Sequence, residues 1–223
     1  MSLKLFSQAI TKFVLGFVIV AALLFLPAGT FHYRQAWLFL AVLFLPMLAA
    51  GSVMMVKNPD LLRRRLYARE KEATQSSIIK ISSLQFFAAF LAAGVSFHQG
   101  FLMLPFGLSV FFALVLLAAY GLYAEVLREN AYLSRTIQVQ EGQTVVDTGL
   151  YAVVRHPMYA ATVVLFWAMP LVLGSVIGFL IMLPYPLLLA ERIRNEEEVL
   201  TRELPGYEDY CCRVRWHILP HIW

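Results

Sequence analysis

The chain has 223 residues, of which 60% are hydrophobic and 14% charged, and its mean hydropathy is +0.70. These values lie outside the usual range of soluble domains and inside that of membrane proteins. A formal charge of +4 does not point to a nucleic-acid partner, because the basic residues stand between apolar segments rather than on one polar domain.

A helix needs about 20 apolar residues to cross the hydrocarbon layer, and four stretches meet that length, at roughly 8–28, 35–56, 78–97 and 101–127. Lys4 and Lys12 precede the first, but its apolar part is long and no small-x-small cleavage site follows, so it reads as a retained anchor. A fifth apolar region, 158–190, is interrupted at Gly174-Ser175 and again at Pro184 and Pro186, which predicts a hairpin of two shorter helices. The expected fold is therefore all-α and polytopic: four long transmembrane helices, a C-terminal apolar hairpin, and polar segments beside them that bind a cofactor. With no internal repeat or domain linker, residues 1–223 read as one membrane domain. Within it, 1–100 consists mainly of spans and 125–223 carries the polar chemistry.

The loop 57–77 holds Lys57, Arg63, Arg64, Arg65, Arg69 and Lys71, whereas the turns around 29–34 and 98–100 hold only Arg34. The positive-inside rule then places both termini and all the polar clusters on the cytoplasmic side. Leu61–Glu72 is basic with a few apolar residues, as suits a solvated loop or a helix on an anionic membrane surface. Thr136–Gly149 alternates β-branched and polar residues between glycines, which predicts a short hairpin. Cys211 and Cys212 are adjacent, a spacing that disfavours a disulfide between them, and no metal site is indicated.

Three polar clusters stand out. In Gly149–Tyr159 (GLYAVVRHPMY), Pro157 suits the first position of a helix, with His156 at the cap. Tyr151, Arg155, His156 and Tyr159 then surround a helix N-terminus, which favours anions; an interfacial belt is the plainer alternative. In Arg192–Leu200 (RIRNEEEVL), helical spacing puts Glu197 on the same stripe as Ile193, Leu200 and Leu204, with Glu196 at its edge. A carboxylate placed there requires a cationic or hydrogen-bonding partner. Glu198 faces away and can pair with Arg194 and Arg202. The tail from Leu204 carries Arg213 and Arg215, suited to a substrate carboxylate or to lipid phosphates. There is no GxGxxG following a strand, no Walker loop, no HExxH and no Gly-x-Ser-x-Gly, which argues against a soluble-type nucleotide fold.

Taken in order, GLYAVVRHPMY, an apolar hairpin, RIRNEEEVL, LPGYEDY and a terminal Ile-Leu-Pro resemble the isoprenylcysteine carboxyl methyltransferase family and its bacterial and archaeal relatives over about residues 125–223. The resemblance implies a membrane-embedded methyltransferase that takes S-adenosylmethionine from the cytoplasm, releases S-adenosylhomocysteine, and draws a lipophilic acceptor from the bilayer. It implies cofactor contacts at Tyr151, Arg155, His156, Pro157, Tyr159, Glu196 and Glu197. Catalytic roles would fall to Arg213 or Arg215 near the acceptor and to Glu197. A carboxylate acceptor is already ionised at pH 7 and needs no strong base, whereas an amine, as in phospholipid N-methylation, would need one. Membrane sterol reductases, which use a nicotinamide cofactor, share His-Pro-x-Tyr but generally carry Asn where Met158 stands here. A non-enzymatic scaffold or transporter subunit is a third reading, though residues 1–100 offer few intramembrane acids for a translocation path.

Overall fold

A computed structural model describes residues 3–57, 59, 62, 63, 66, 73–130, 132, 133 and 139–223. Its four long N-terminal helices among the described residues are α1 (Leu3–Ala28), α2 (Arg34–Lys57), α3 (Ala73–Gln99) and α4 (Phe106–Glu129). A 3-10 turn at Gly149–Ala152 leads into α5 (Pro157–Val172), followed by α6 (Val176–Met182), α7 (Tyr185–Glu203) and α8 (Tyr207–Arg213).

Five segments among the described residues are long and apolar enough to span a bilayer: Leu5–Ala28, Arg34–Lys57, Ser76–Gln99, Phe106–Glu129 and Val176–Glu203. Large apolar side chains point outward along them, including Leu26 (79% exposed), Leu84 (71%) and Leu187 (74%). Such a surface is stable only against hydrocarbon. The protein is an integral, multi-pass membrane protein.

The four long helices lie where composition places them, and the fifth apolar region breaks at the two expected places, giving three helices rather than two. Gly174, with a positive φ, turns the chain after α5. Pro184 only separates α6 from α7: it sits at the N-cap of α7 with Pro186 in the first turn, where a missing N–H breaks no helical bond. The helix then runs beyond the apolar region and through the charged Arg192–Glu198 stretch.

The main core joins α1 to α5 around Leu24, Phe39, Leu40, Phe90, Ala93, Leu116 and Val172. The α4–α5 contact is the most extensive in the bundle, and α4 buries the small residues Ser109, Ala113 and Ala119. Small side chains let two helix backbones approach closely. A second core of Ala89, Tyr159, Met182, Tyr185, Leu189 and Ile193 packs α3, α5, α6 and α7 together. At one end of the bundle Tyr33 donates to the Leu173 carbonyl at 2.5 Å, and Leu104 N–H donates to Gly174 O at 2.8 Å. The start of α5, the ends of α4 and α7, and α8 gather at the other.

The Leu61–Glu72 segment lies outside the described residues except for positions 62, 63 and 66. Leu62 is buried beside Leu5 and Met55, with Leu66 packed against them, and Lys12 donates to Leu66 O at 2.6 Å. Positions 136–138 of the expected hairpin also lie outside the described residues, and 139–149 forms a turn without strands. Side chains hold this turn. Gln140 N–H donates to Gln143 Oε1 at 2.9 Å, Gln140 Nε2 donates to Tyr132 O, and the Tyr132 hydroxyl donates to Gly142 O.

Gly94 sets the approach of α3 to α1. A Cβ built there would lie 2.6 Å from the Leu24 carbonyl oxygen and 3.0 Å from Pro27, whereas one at Gly16 would meet nothing within 4 Å. Gly94→Ala is expected to cost about 1–3 kcal/mol by forcing the helices apart, with Gly16→Ala causing no loss. Thermal unfolding of both variants in detergent measures the difference.

Candidate functional site

The site begins with the backbone just before α5. The N–H groups of Arg155 and His156 donate to Trp216 O and His217 O, each at 2.8 Å, so the C-terminal tail is tied to the start of that helix. His156 is the N-cap residue and Pro157 the first helical residue, yet the imidazole caps nothing. It is buried, and its Nε2 lies 2.9 Å from Glu197 Oε1.

Arg155 reaches the same carboxylate. Its Nε donates to Glu197 Oε1 at 2.7 Å and one terminal nitrogen donates to Oε2 at 3.3 Å. The other terminal nitrogen donates to Val214 O at 3.1 Å. The pair is well shielded, the two side chains being 9% and 19% exposed. Glu197 thus finds the cation that its place on the apolar stripe requires.

His217 completes the cluster. Its Nε2 lies 2.6 Å from an Arg155 terminal nitrogen and 3.2 Å from Glu197 Oε2. A guanidinium can only donate and a carboxylate only accept, so the shorter contact makes Nε2 the unprotonated acceptor from Arg155, leaves the ring neutral, and puts no proton toward Glu197. Burial lowers the His217 pKa, Arg155 and His156 lower it further, and Glu197 opposes them. The ring also stacks on Trp223, with centroids 4.9 Å apart.

Beside this clamp opens a cleft lined by Tyr132, Tyr151, Tyr159, Tyr207, Tyr210, Arg155, His156 and Glu196, with Met158, Leu200 and Leu204 among its apolar wall. Tyr159 donates to Glu196 Oε2 at 2.5 Å and accepts from Arg192 Nε at 2.9 Å. Tyr151 accepts from Asn130 Nδ2 at 3.1 Å, while Tyr210 donates to the Tyr151 carbonyl at 2.7 Å. Burial raises the phenol pKa of both, that of Tyr151 to about 12, so both are protonated donors. Glu129 fixes the 3-10 turn by accepting from Leu150 N–H at 2.9 Å. Gly149 is required there, since its φ is +56° and a Cβ would strike the Glu129 carboxylate.

Of the residues singled out in the sequence, Tyr151, Arg155, His156, Tyr159 and Glu196 line the cleft, and Pro157 starts the helix beside it. Glu197 stands behind the lining and holds Arg155 and His156. Arg213 and Arg215 are exposed and do not line the cleft; Arg213 pairs with Asp147 at 2.8 Å. Arg194 and Arg202 pair with Glu191 and Glu203. Sequence reasoning did not single out His217, Tyr207, Tyr210, Asn130 or Glu129. Their signal was an unusual density of Tyr and His in the tail, and an acid and an amide at the end of a span.

Comparison with known proteins bears on this end of the molecule. Residues 110–202 match the family model described as the isoprenylcysteine carboxyl methyltransferase (ICMT) family. The matched segment covers less than half of the chain. That segment runs from α4 through α5 to the end of α7, and so contains the clamp's Arg155, His156 and Glu197 together with Tyr159 and Glu196. The chain also shares 29% identity over 91 residues with the Delta(14)-sterol reductase TM7SF2 of Mus musculus, a match covering 40% of this chain and 22% of that protein.

Two outcomes follow from this geometry. Glu197→Ala leaves a shielded guanidinium without its carboxylate and is expected to cost about 3 kcal/mol or more, read as a lower melting temperature in detergent. A neutral His217 gives the second. Its pKa in the fold is below the ordinary 6.5, so the unfolded chain takes up the proton first as pH falls. The contribution is complete above about pH 6.5 and is lost as pH falls below it. His217→Gln, which keeps an acceptor but does not titrate, should flatten the fall in melting temperature between about pH 7.5 and about pH 5.5 relative to the parent.

Proposed function

We propose that the protein is a membrane methyltransferase that takes its methyl group from S-adenosylmethionine and passes it to a lipophilic acceptor, the carboxylate of an isoprenylcysteine-like substrate. The observation that carries this reading is the division of the two neighbouring acids within the ICMT-family segment: Glu197 is clamped by Arg155 and His156, and Glu196 faces the tyrosine-lined cleft.

The donor set suits such a cofactor. Tyr159 fills one acceptor position of Glu196, and a carboxylate has further ones for an ammonium or a ribose hydroxyl. Met158 and Tyr159 bring the N-terminal end of α5 to the cleft, a favourable place for an amino-acid carboxylate. The leucine and tyrosine faces provide apolar surface for a purine. When bound, the cofactor supplies an electrophilic methyl group on a sulfonium. An ionised carboxylate acceptor needs no proton removed, so the protein's task is to align the reactants and exclude water. Arg192 donates to the Tyr159 hydroxyl but does not itself line the cleft, so it would act on that acceptor through Tyr159. Arg213 and Arg215, outside the cleft, would reach the acceptor only from the tail. Helix parity puts the start of α1, the α2–α3 connection and the end of α4 on one face. The basic residues of 57–77 make that face cytoplasmic under the positive-inside rule, and the cleft and tail lie there too.

A second reading, a nicotinamide-dependent reductase, is favoured by the likeness to the mouse sterol reductase. Titration of the purified protein with S-adenosylhomocysteine and with NADPH separates the two. We expect the former to bind, and Glu196→Gln to weaken it about tenfold through loss of one charge-assisted hydrogen bond. Labelled S-adenosylmethionine with a prenylated cysteine in vesicles should yield a base-labile methyl ester. NADPH binding without S-adenosylhomocysteine binding would sink the methyltransferase reading.

A further inference from the structure

Tyr207 is the buried polar group of the cleft that the protein itself leaves unsatisfied. It opens α8 just after Gly206, is 4% exposed, and its ring packs on Tyr210 with centroids 5.7 Å apart. Its hydroxyl makes no hydrogen bond among the described residues. The Cys211 thiol, one turn on, is close enough for the phenol to act on it as a hydrogen-bond donor, but sulfur is a weak acceptor and the contact falls short of hydrogen-bond geometry. The other tyrosine hydroxyls that order the site are engaged: Tyr159 by Glu196 and Arg192, Tyr151 by Asn130, and Tyr210 by the Tyr151 carbonyl. An unsatisfied buried hydroxyl costs about 1–3 kcal/mol, and a wall residue of a cleft is where a ligand atom can relieve that cost.

We infer that the Tyr207 hydroxyl is a binding donor that the bound cofactor satisfies through an uncharged acceptor, a ribose hydroxyl or a purine nitrogen. The inference rests on the cofactor reading proposed above. Burial, then the Glu197 carboxylate, keep the phenol protonated, with Glu196 acting in the same direction and Arg155 against it. The hydroxyl therefore has a proton to donate. An anionic acceptor at this spot would lie in the field of two carboxylates, which leaves the uncharged part of a nucleoside as the suitable partner.

Tyr207→Phe tests this directly, because it removes the hydroxyl and keeps the ring. Its expected signature is a melting temperature of the ligand-free protein equal to or above the parent's, together with a Kd for S-adenosylhomocysteine raised about 5- to 15-fold. Tyr210→Phe is the contrast, since its hydroxyl bonds the protein; it should lower the ligand-free melting temperature. A Tyr207→Phe Kd within twofold of the parent's overturns the inference alone. So does a lower ligand-free melting temperature, which would give the hydroxyl a structural partner. If the parent protein itself does not bind S-adenosylhomocysteine, the cofactor reading fails, and the inference with it.

Discussion

A carboxylate on the apolar stripe of a membrane-entering helix must be neutralised by a partner, and the site is organised around how Glu197 meets that demand. Its partners, Arg155 and His156, come from the start of α5, and His217 of the tail takes a hydrogen bond from the same guanidinium. The guanidinium then reaches on to the Val214 carbonyl, while the backbone of 155 and 156 holds 216 and 217. One buried charge pair thereby fixes three segments relative to one another. A buried pair contributes little net stability compared with apolar packing, but losing one partner is costly. Its effect is on which arrangement forms: this alignment of α5, α7 and the tail satisfies both charges together with the tail carbonyls.

That constraint also decides what the neighbouring residue does. Successive side chains on a helix diverge by about 100°, so anchoring Glu197 behind the cleft turns Glu196 into it. Tyr159 then links Glu196 to Arg192 four residues earlier, one helical turn toward the membrane. The same tyrosine ring is buried among Met182, Tyr185, Leu189 and Ile193. A single side chain is thus apolar on the bilayer side and hydrogen-bonded on the cleft side, a division well suited to a phenol.

Much of this was legible in the sequence, and the reasons are local. The four spans follow from composition alone. Pro157 marked a helix start, and the spacing of Ile193, Glu197 and Leu200 showed a carboxylate turned toward apolar side chains and in need of a cation. Which cation answers it was not legible, because Arg155 lies 42 positions away and the contact depends on how α5 packs against α7. The guanidinium read as an anion-binding group for a ligand is engaged by the protein's own acid. Pro184 marked the break that ends α6, and its position at the next helix start lets α7 run on through the charged stretch. Glycines and β-branched residues in Thr136–Gly149 suggested strands, but the glutamines and Tyr132 supply side-chain hydrogen bonds that hold a turn instead. Tyr207 could not be distinguished from Tyr210 by sequence, since the difference lies only in which hydroxyl finds a carbonyl.

The position of the cleft bears on how a water-soluble cofactor and a lipid-soluble acceptor would meet under the proposed function. Along α7 the side chains change from Leu187, exposed to hydrocarbon, through Leu189 and Ile193 in the core, to Arg192, Glu196 and the clamped Glu197 within just under three turns. The helix that crosses the membrane is the same one that carries the acids of the site. An acceptor moving along this helix would pass from lipid to the Arg192–Tyr159–Glu196 chain without leaving the protein surface. Glu197 would meanwhile hold α5 in place, so the polar wall stays aligned with the apolar approach. The buried ion pair and the lipid-facing helix then serve one requirement, which is to keep a charged pocket in register with the edge of a bilayer.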